Sequence, residues 1–199
     1  MKQFFTTIAL LVLINTAFGQ LESYAILSKD QRSAIDINLF AYKKIGKKWN
    51  LNCFTLMETS PASPSESTTV WAEIMPGVDF TAGKWNLGLE VGLETSGKPR
   101  VGNWIFFSGK KDQFSISLEK GHGADNHWYS LEYQHTFAKV FNLGLMARRW
   151  TVAGPEIGFT IHGKRDSALF KPTLFVAAGV DPESYGTKRA IIGITIPIQ

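Results

Sequence analysis

The sequence predicts an all-β protein, an antiparallel up-and-down transmembrane β-barrel of about twelve strands, with ten to twelve compatible with the pattern. Three observations predict it. Apolar and polar residues alternate over long stretches, as in a strand with one apolar and one polar face. Most of these stretches run about nine to eleven residues, the length a tilted strand needs to cross a bilayer. Tight turns and other breaks strictly alternate along the chain, as they must when successive hairpins close at opposite ends of one sheet.

The first element is set apart from the fold. Lys2 supplies a positive charge, Ile8 to Ile14 is an almost unbroken apolar run, and Ala17-Phe18-Gly19 places small residues before Gln20. That order is the signature of a secretory signal peptide. The run is too short to span about 30 Å of hydrocarbon as a helix, and no Cys stands at the cleavage point to carry a lipid. Residues 1–19 are therefore expected to be removed, leaving 20–199 as a single barrel domain. The only cysteine is Cys53, so no internal disulfide can form.

The strand pattern is clearest at Trp85, Leu87, Leu89, Val91 and Leu93, which alternate with Asn86, Gly88, Glu90, Gly92 and Glu94. Val70, Ala72, Ile74, Val78 and Phe80 alternate likewise with Glu73, Gly77, Asp79 and Thr81. Phe114, Ile116 and Leu118 face away from Ser115, Ser117 and Glu119, and Ala190, Ile192, Ile194, Ile196 and Ile198 from Arg189, Gly193 and Thr195. Helical spacing fits none of these, and the many Gly and β-branched residues oppose helix. Eleven strands are clear from about residue 33 to 198, and Glu22 to Leu27 supplies a twelfth. An even number puts both termini at one end of the barrel.

Tight turns are predicted at Ile45-Gly46-Lys47, Thr81 to Lys84, Gly109 to Asp112, Ala138-Lys139 and Gly163 to Asp166. The other breaks fall at Ser60 to Ser67, Ser96 to Pro99, Gly121 to Asn126, Thr151 to Gly154 and Gly179 to Gly186. Trp49, Trp71, Trp85, Phe107, Trp128, Phe137, Phe141 and Trp150 stand near strand ends, where an amphipathic ring suits the membrane interface.

In these features the chain resembles the broad class of small bacterial outer-membrane β-barrel proteins. The resemblance covers residues 21–199 in pattern, and the leader followed by Gln20 is similar to those of Bacteroidota exports. Barrels of this class commonly end in an aromatic residue, whereas this chain ends Ile196-Pro197-Ile198-Gln199. The resemblance implies an outer-membrane location, lipid as the surrounding partner and insertion by the outer-membrane assembly machinery. It implies no oligomeric state.

On this reading the polar faces line a lumen. Its predicted contents are Asp36, Asn38, Asn50, Asn52, Glu73, Asp79, Glu90, Glu94, Ser115, Ser117, Glu119, Glu132, Gln134, Glu156, His162 and Lys171, with Arg148 pointing in and Arg149 at the interfacial end of its strand. Acids outnumber bases, so an open path would favour cations. The competing arrangement is a closed polar core in which Arg148, Lys171 and Arg189 pair with the acids.

The net charge of +4 does not indicate nucleic acid. Many of the basic residues, Lys43, Lys44, Lys47, Lys48, Lys110 and Lys111 among them, fall in the tight turns, where Lys keeps a turn solvated and blunts strand pairing. Chemistry is weakly signalled. His122, Asp125 and His127 on one loop are the nearest approach to a metal set, but their spacing among glycines is that of an ordinary polar loop. His127 and Ser130 are three apart, so an extended strand turns them to opposite faces. There is no Gly-x-Ser-x-Gly elbow and no cofactor-binding pattern. The sequence thus points to a barrel with a structural, adhesive or small-solute pore role. The alternatives are a barrel-embedded lipid-modifying hydrolase and a soluble periplasmic β-sandwich or binding module.

Overall fold

A computed structural model describes residues 18–28, 34–60, 69–161, 171–183 and 186–198. Twelve strands follow one another: β1 (Phe18–Ser28), β2 (Ala34–Lys44), β3 (Trp49–Ser60), β4 (Thr69–Ala82), β5 (Trp85–Glu94), β6 (Pro99–Ser108), β7 (Asp112–Lys120), β8 (His127–Phe137), β9 (Phe141–Arg148), β10 (Val152–Thr160), β11 (Thr173–Val180) and β12 (Lys188–Ile198). Each pairs antiparallel with its neighbours in sequence, and β1 pairs with β12 to close the barrel. The predicted strand at Glu22 to Leu27 is thus real and longer than expected. Its first residues, Phe18 and Gly19, belong to the segment assigned to the leader, and the rest of that segment lies outside the described residues. Among the described residues no helix is long and apolar enough to cross a membrane.

Closure sets the side-chain faces. Leu87, Leu89, Val91 and Leu93 of β5 are 43–55% exposed, whereas Glu90 and Glu94 on its other face are 3% and 6% exposed. Exposed Leu131 on β8, Leu143 and Leu145 on β9, Ile157 on β10, Val176 on β11 and Ile192 on β12 continue this inverted pattern, apolar outside and polar inside. Such a wall is unfavourable in water and favourable in hydrocarbon. Leu89→Arg is therefore expected to cost about 2–4 kcal/mol of folding free energy in a bilayer, while Glu90→Gln leaves assembly intact. Urea titration of the barrel in lipid vesicles measures the difference, and equal tolerance would contradict the assigned faces.

The turns bear on the two ends unequally. At the end that carries both termini, β4 and β5 join through Gly83-Lys84, with Gly83 in the left-handed region at φ +66°. Ala138 and Lys139 adopt the same region between β8 and β9. The predicted turn at Gly163 to Asp166 lies outside the described residues; β10 ends at Thr160 and β11 begins at Thr173, so that connection is long. At the opposite, loop end, the expected break at Thr151 to Gly154 is corrected. Arg149-Trp150-Thr151 makes the turn, with Trp150 at φ +58°, and β10 already starts at Val152.

Aromatic residues gather at the turn end. Trp49 stacks near Phe80 at 5.0 Å, Trp85 near Phe107 at 4.8 Å, and Phe141 near Phe159 at 5.9 Å, each pair joining adjacent strands on the outer face. Trp71 and Trp128 do not belong to this girdle. Both line the interior, because each shares strand parity with an inward acid, Glu73 and Glu132 respectively.

Candidate functional site

The lumen is a cavity of about 2110 Å³ whose lining runs from Lys44, Lys47, Lys110 and Lys139 at the turn end to Asp125, Asn126, Trp150 and Glu183 at the loop end. Asp36, Asn38, Asn50, Glu73, Asp79, Glu90, Ser115, Ser117, Glu119, Glu132, Gln134, Glu156, Arg148 and Lys171 all line it. Asn52 is buried beside it and donates to Asp79. His162 lies outside the described residues.

Two contacts reach across the space. Phe40 on β2 meets Trp104 on β6 edge-on, with ring centroids 5.5 Å apart, although β3, β4 and β5 lie between them in the wall. Trp104 is held from three sides. Its indole Nε1 donates to Glu90 at 3.0 Å, Phe40 abuts it, and its ring lies over Gly88 on the paired strand. A Cβ at Gly88 would stand 2.0 Å from the indole, so only glycine leaves room for the ring. The second bridge is ionic. Arg148 on β9 reaches Glu22 on β1 at 2.7 Å and Glu132 on β8 at 3.0 Å, with its guanidinium over the Tyr24 ring. Asn38 also donates to Glu22, and Gln134 ties Glu132 to Glu156.

A second arginine was missed by sequence reasoning. Arg100 sits near the start of β6, and its Nε lies 2.9 Å from Glu73 and 2.8 Å from Glu119. Its Nη1 donates to Asn126, which in turn donates to Glu94, so Glu94 is fixed at the loop-end rim rather than in the open cavity. The alternation Arg100, Gly102, Trp104, Phe106 was the available signal, but Ser96 to Pro99 reads as a loop that hides where the strand begins.

Arg149, expected at the interface, is instead 5% exposed and pointed inward. It donates to the backbone oxygens of Asp125 and His127 and pairs with Glu183 at 3.4 Å, pinning two loop-end connections together. Arg189 pairs with Asp181 at 2.9 Å and bonds the Trp150 carbonyl. Pairing is therefore carried by Arg100, Arg148, Arg149 and Arg189, whereas Lys171 makes no ion pair with the described residues. One carboxylate oxygen of Glu156, a residue only 2% exposed, has no hydrogen-bond partner among them.

The other candidates stay apart. The structure forms no cluster of three potential metal ligands from His122, Asp125 and His127, nor any such cluster among the described residues. Ser130 faces the lumen beside Arg148, while His127 falls on the other face of β8, so the two do not form a nucleophile and base.

No family model and no curated protein matches the chain. Solved structures do. A KdgM porin in complex with disordered oligogalacturonate superposes with a TM-score of 0.53 at 9% identity, over 90% of this chain and 99% of that one. Outer membrane phospholipase A from Escherichia coli superposes with a TM-score of 0.51 at 10% identity, over 92% and 90%. Identities this low speak to architecture and not to chemistry. The chain has the closed, all-antiparallel, twelve-stranded fold of the small bacterial outer-membrane β-barrels.

Proposed function

We propose that residues 1–19 export the chain and that the remainder spans a bacterial outer membrane as a narrow, water-filled passage for small solutes, with a preference for cations. The observation that carries this reading is the single cavity lined by residues of both ends. The inverted wall, the aromatic girdle at the turn end and the even strand number support the location, with the turn end periplasmic.

The cation preference comes from the middle of the lumen. Glu22, Asp36, Glu90, Glu132 and Glu156 face it there, and Arg148 is the base among them. Carboxylates along a narrow path attract cations and repel anions. The lysines Lys44, Lys47, Lys110 and Lys139 cluster instead at the turn-end mouth.

Planar-bilayer recordings test the proposal. A small, steady, cation-selective conductance is expected, and Glu90→Gln combined with Glu156→Gln should lower the cation-to-anion permeability ratio by about twofold or more. A bilayer that stays silent with correctly folded protein, or an anion-selective current, would overturn it.

A further inference from the structure

The outer wall carries one polar cluster that the lumen reading leaves unused. Asp112 opens β7 and pairs in register with His135 of β8 on the outward face. His135 Nδ1 lies 2.7 Å from Asp112 Oδ1, and the Tyr133 hydroxyl donates to the same oxygen at 2.9 Å. The His and Asp side chains are 30% and 47% exposed. Polar groups on a lipid-facing wall are unfavourable in hydrocarbon, yet these stand at interface depth. Phe107 and Phe114 flank them on one side, and Phe137 and Phe141 on the other, with the His135 ring 4.5 Å from that of Phe137. The Lys110-Lys111 turn lies against them, since Thr136 N donates to the Lys111 carbonyl.

Beside the cluster runs a shallow groove lined by Tyr133, His135, Phe137, Leu143, Gly144 and Leu145. Its sides are apolar. With Nδ1 engaged by Asp112, His135 Nε2 has no hydrogen bond among the described residues, and the Asp112 side chain is half exposed.

We propose that this groove holds one phospholipid of the turn-side leaflet, with a zwitterionic headgroup bearing a primary ammonium. An acyl chain lies along Leu143, Gly144 and Leu145. The phosphate meets His135 Nε2 and the charge of Lys111, while the ammonium meets the exposed Asp112 carboxylate. Adjacent positive and negative groups at one depth match a headgroup that carries both charges.

The inference rests on the membrane location, so the first control is entry into bilayers, followed by the mobility shift of the folded barrel on unboiled gels. Native mass spectrometry from nanodiscs of phosphatidylethanolamine, phosphatidylglycerol and phosphatidylcholine then reads retention. One retained phosphatidylethanolamine, severalfold favoured over the other two, is expected. Asp112→Asn should abolish that discrimination, His135→Ala should weaken retention of all three, and Leu143→Trp should fill the groove and exclude lipid. Failure to enter bilayers overturns the location as well. A folded, inserted barrel that retains no lipid, or retains all three alike, overturns this inference alone. So does efficient disulfide cross-linking between copies through Leu143→Cys with lipid excluded, since the groove is then a contact between barrels.

Discussion

Replacing Trp104 by alanine is expected to raise single-channel conductance by about two- to threefold, because conduction is governed by the narrowest part of a pore. The expectation follows from the bridge between β2 and β6, where the indole spans across the lumen to Phe40. Phe40→Ala should act in the same direction and less strongly, since Glu90 still anchors the indole. Gly88→Ala is the complementary change. The added methyl cannot coexist with the ring as placed, so the indole must swing away or the strand pair must shift. If Trp104→Ala forms a folded barrel with unchanged conductance, the constriction lies elsewhere.

The largest effect on stability is expected at Arg148. Arg148→Met leaves the half-buried Glu22 and Glu132 without their counter-charge. Breaking a fully buried ion pair from one side typically costs about 3–5 kcal/mol, and half-burial places the loss toward or below the lower end. The folded band on unboiled gels should convert at a markedly lower temperature. Adding Glu22→Gln and Glu132→Gln to Arg148→Met should restore most of the loss, because the penalty arises from the stranded charges rather than from the missing contact. A triple variant as unstable as the single one would place the cost in the guanidinium's packing over Tyr24 instead.

What the sequence revealed and what it concealed divide along a physical line. Parity along a strand is a local property, so the face of Leu89 or Glu90 could be read from a handful of neighbours. Residue type alone misled wherever it stood in for parity. Trp71 and Trp128 were assigned to the interface because tryptophan suits that depth, yet each follows the inward register of a neighbouring acid. Arg149 reads as lying at the interfacial end of its strand, next to the inward Arg148. A turn intervenes there, and the alternation that holds within a strand does not survive it. The bridges were illegible for another reason. That Phe40 meets Trp104, or that Glu22 meets Arg148, depends on the curvature of the closed sheet, which no local pattern encodes.

The seam between β1 and β12 gives one of those bridges a temporal meaning. In an open, unrolled sheet β1 and β9 stand far apart, and they come within reach of one another only when the last strand docks on the first through the register from Gly19 opposite Ile198 to Ser28 opposite Arg189. The Arg148–Glu22 pair therefore cannot exist in an intermediate whose β1–β12 seam is still open. It is a latch across that seam, engaged only once β1 and β12 have paired. Until then Arg148 keeps Glu132 on the neighbouring strand, and Glu22 on β1 is the acid left without its counter-charge, a cost in lipid that closure removes.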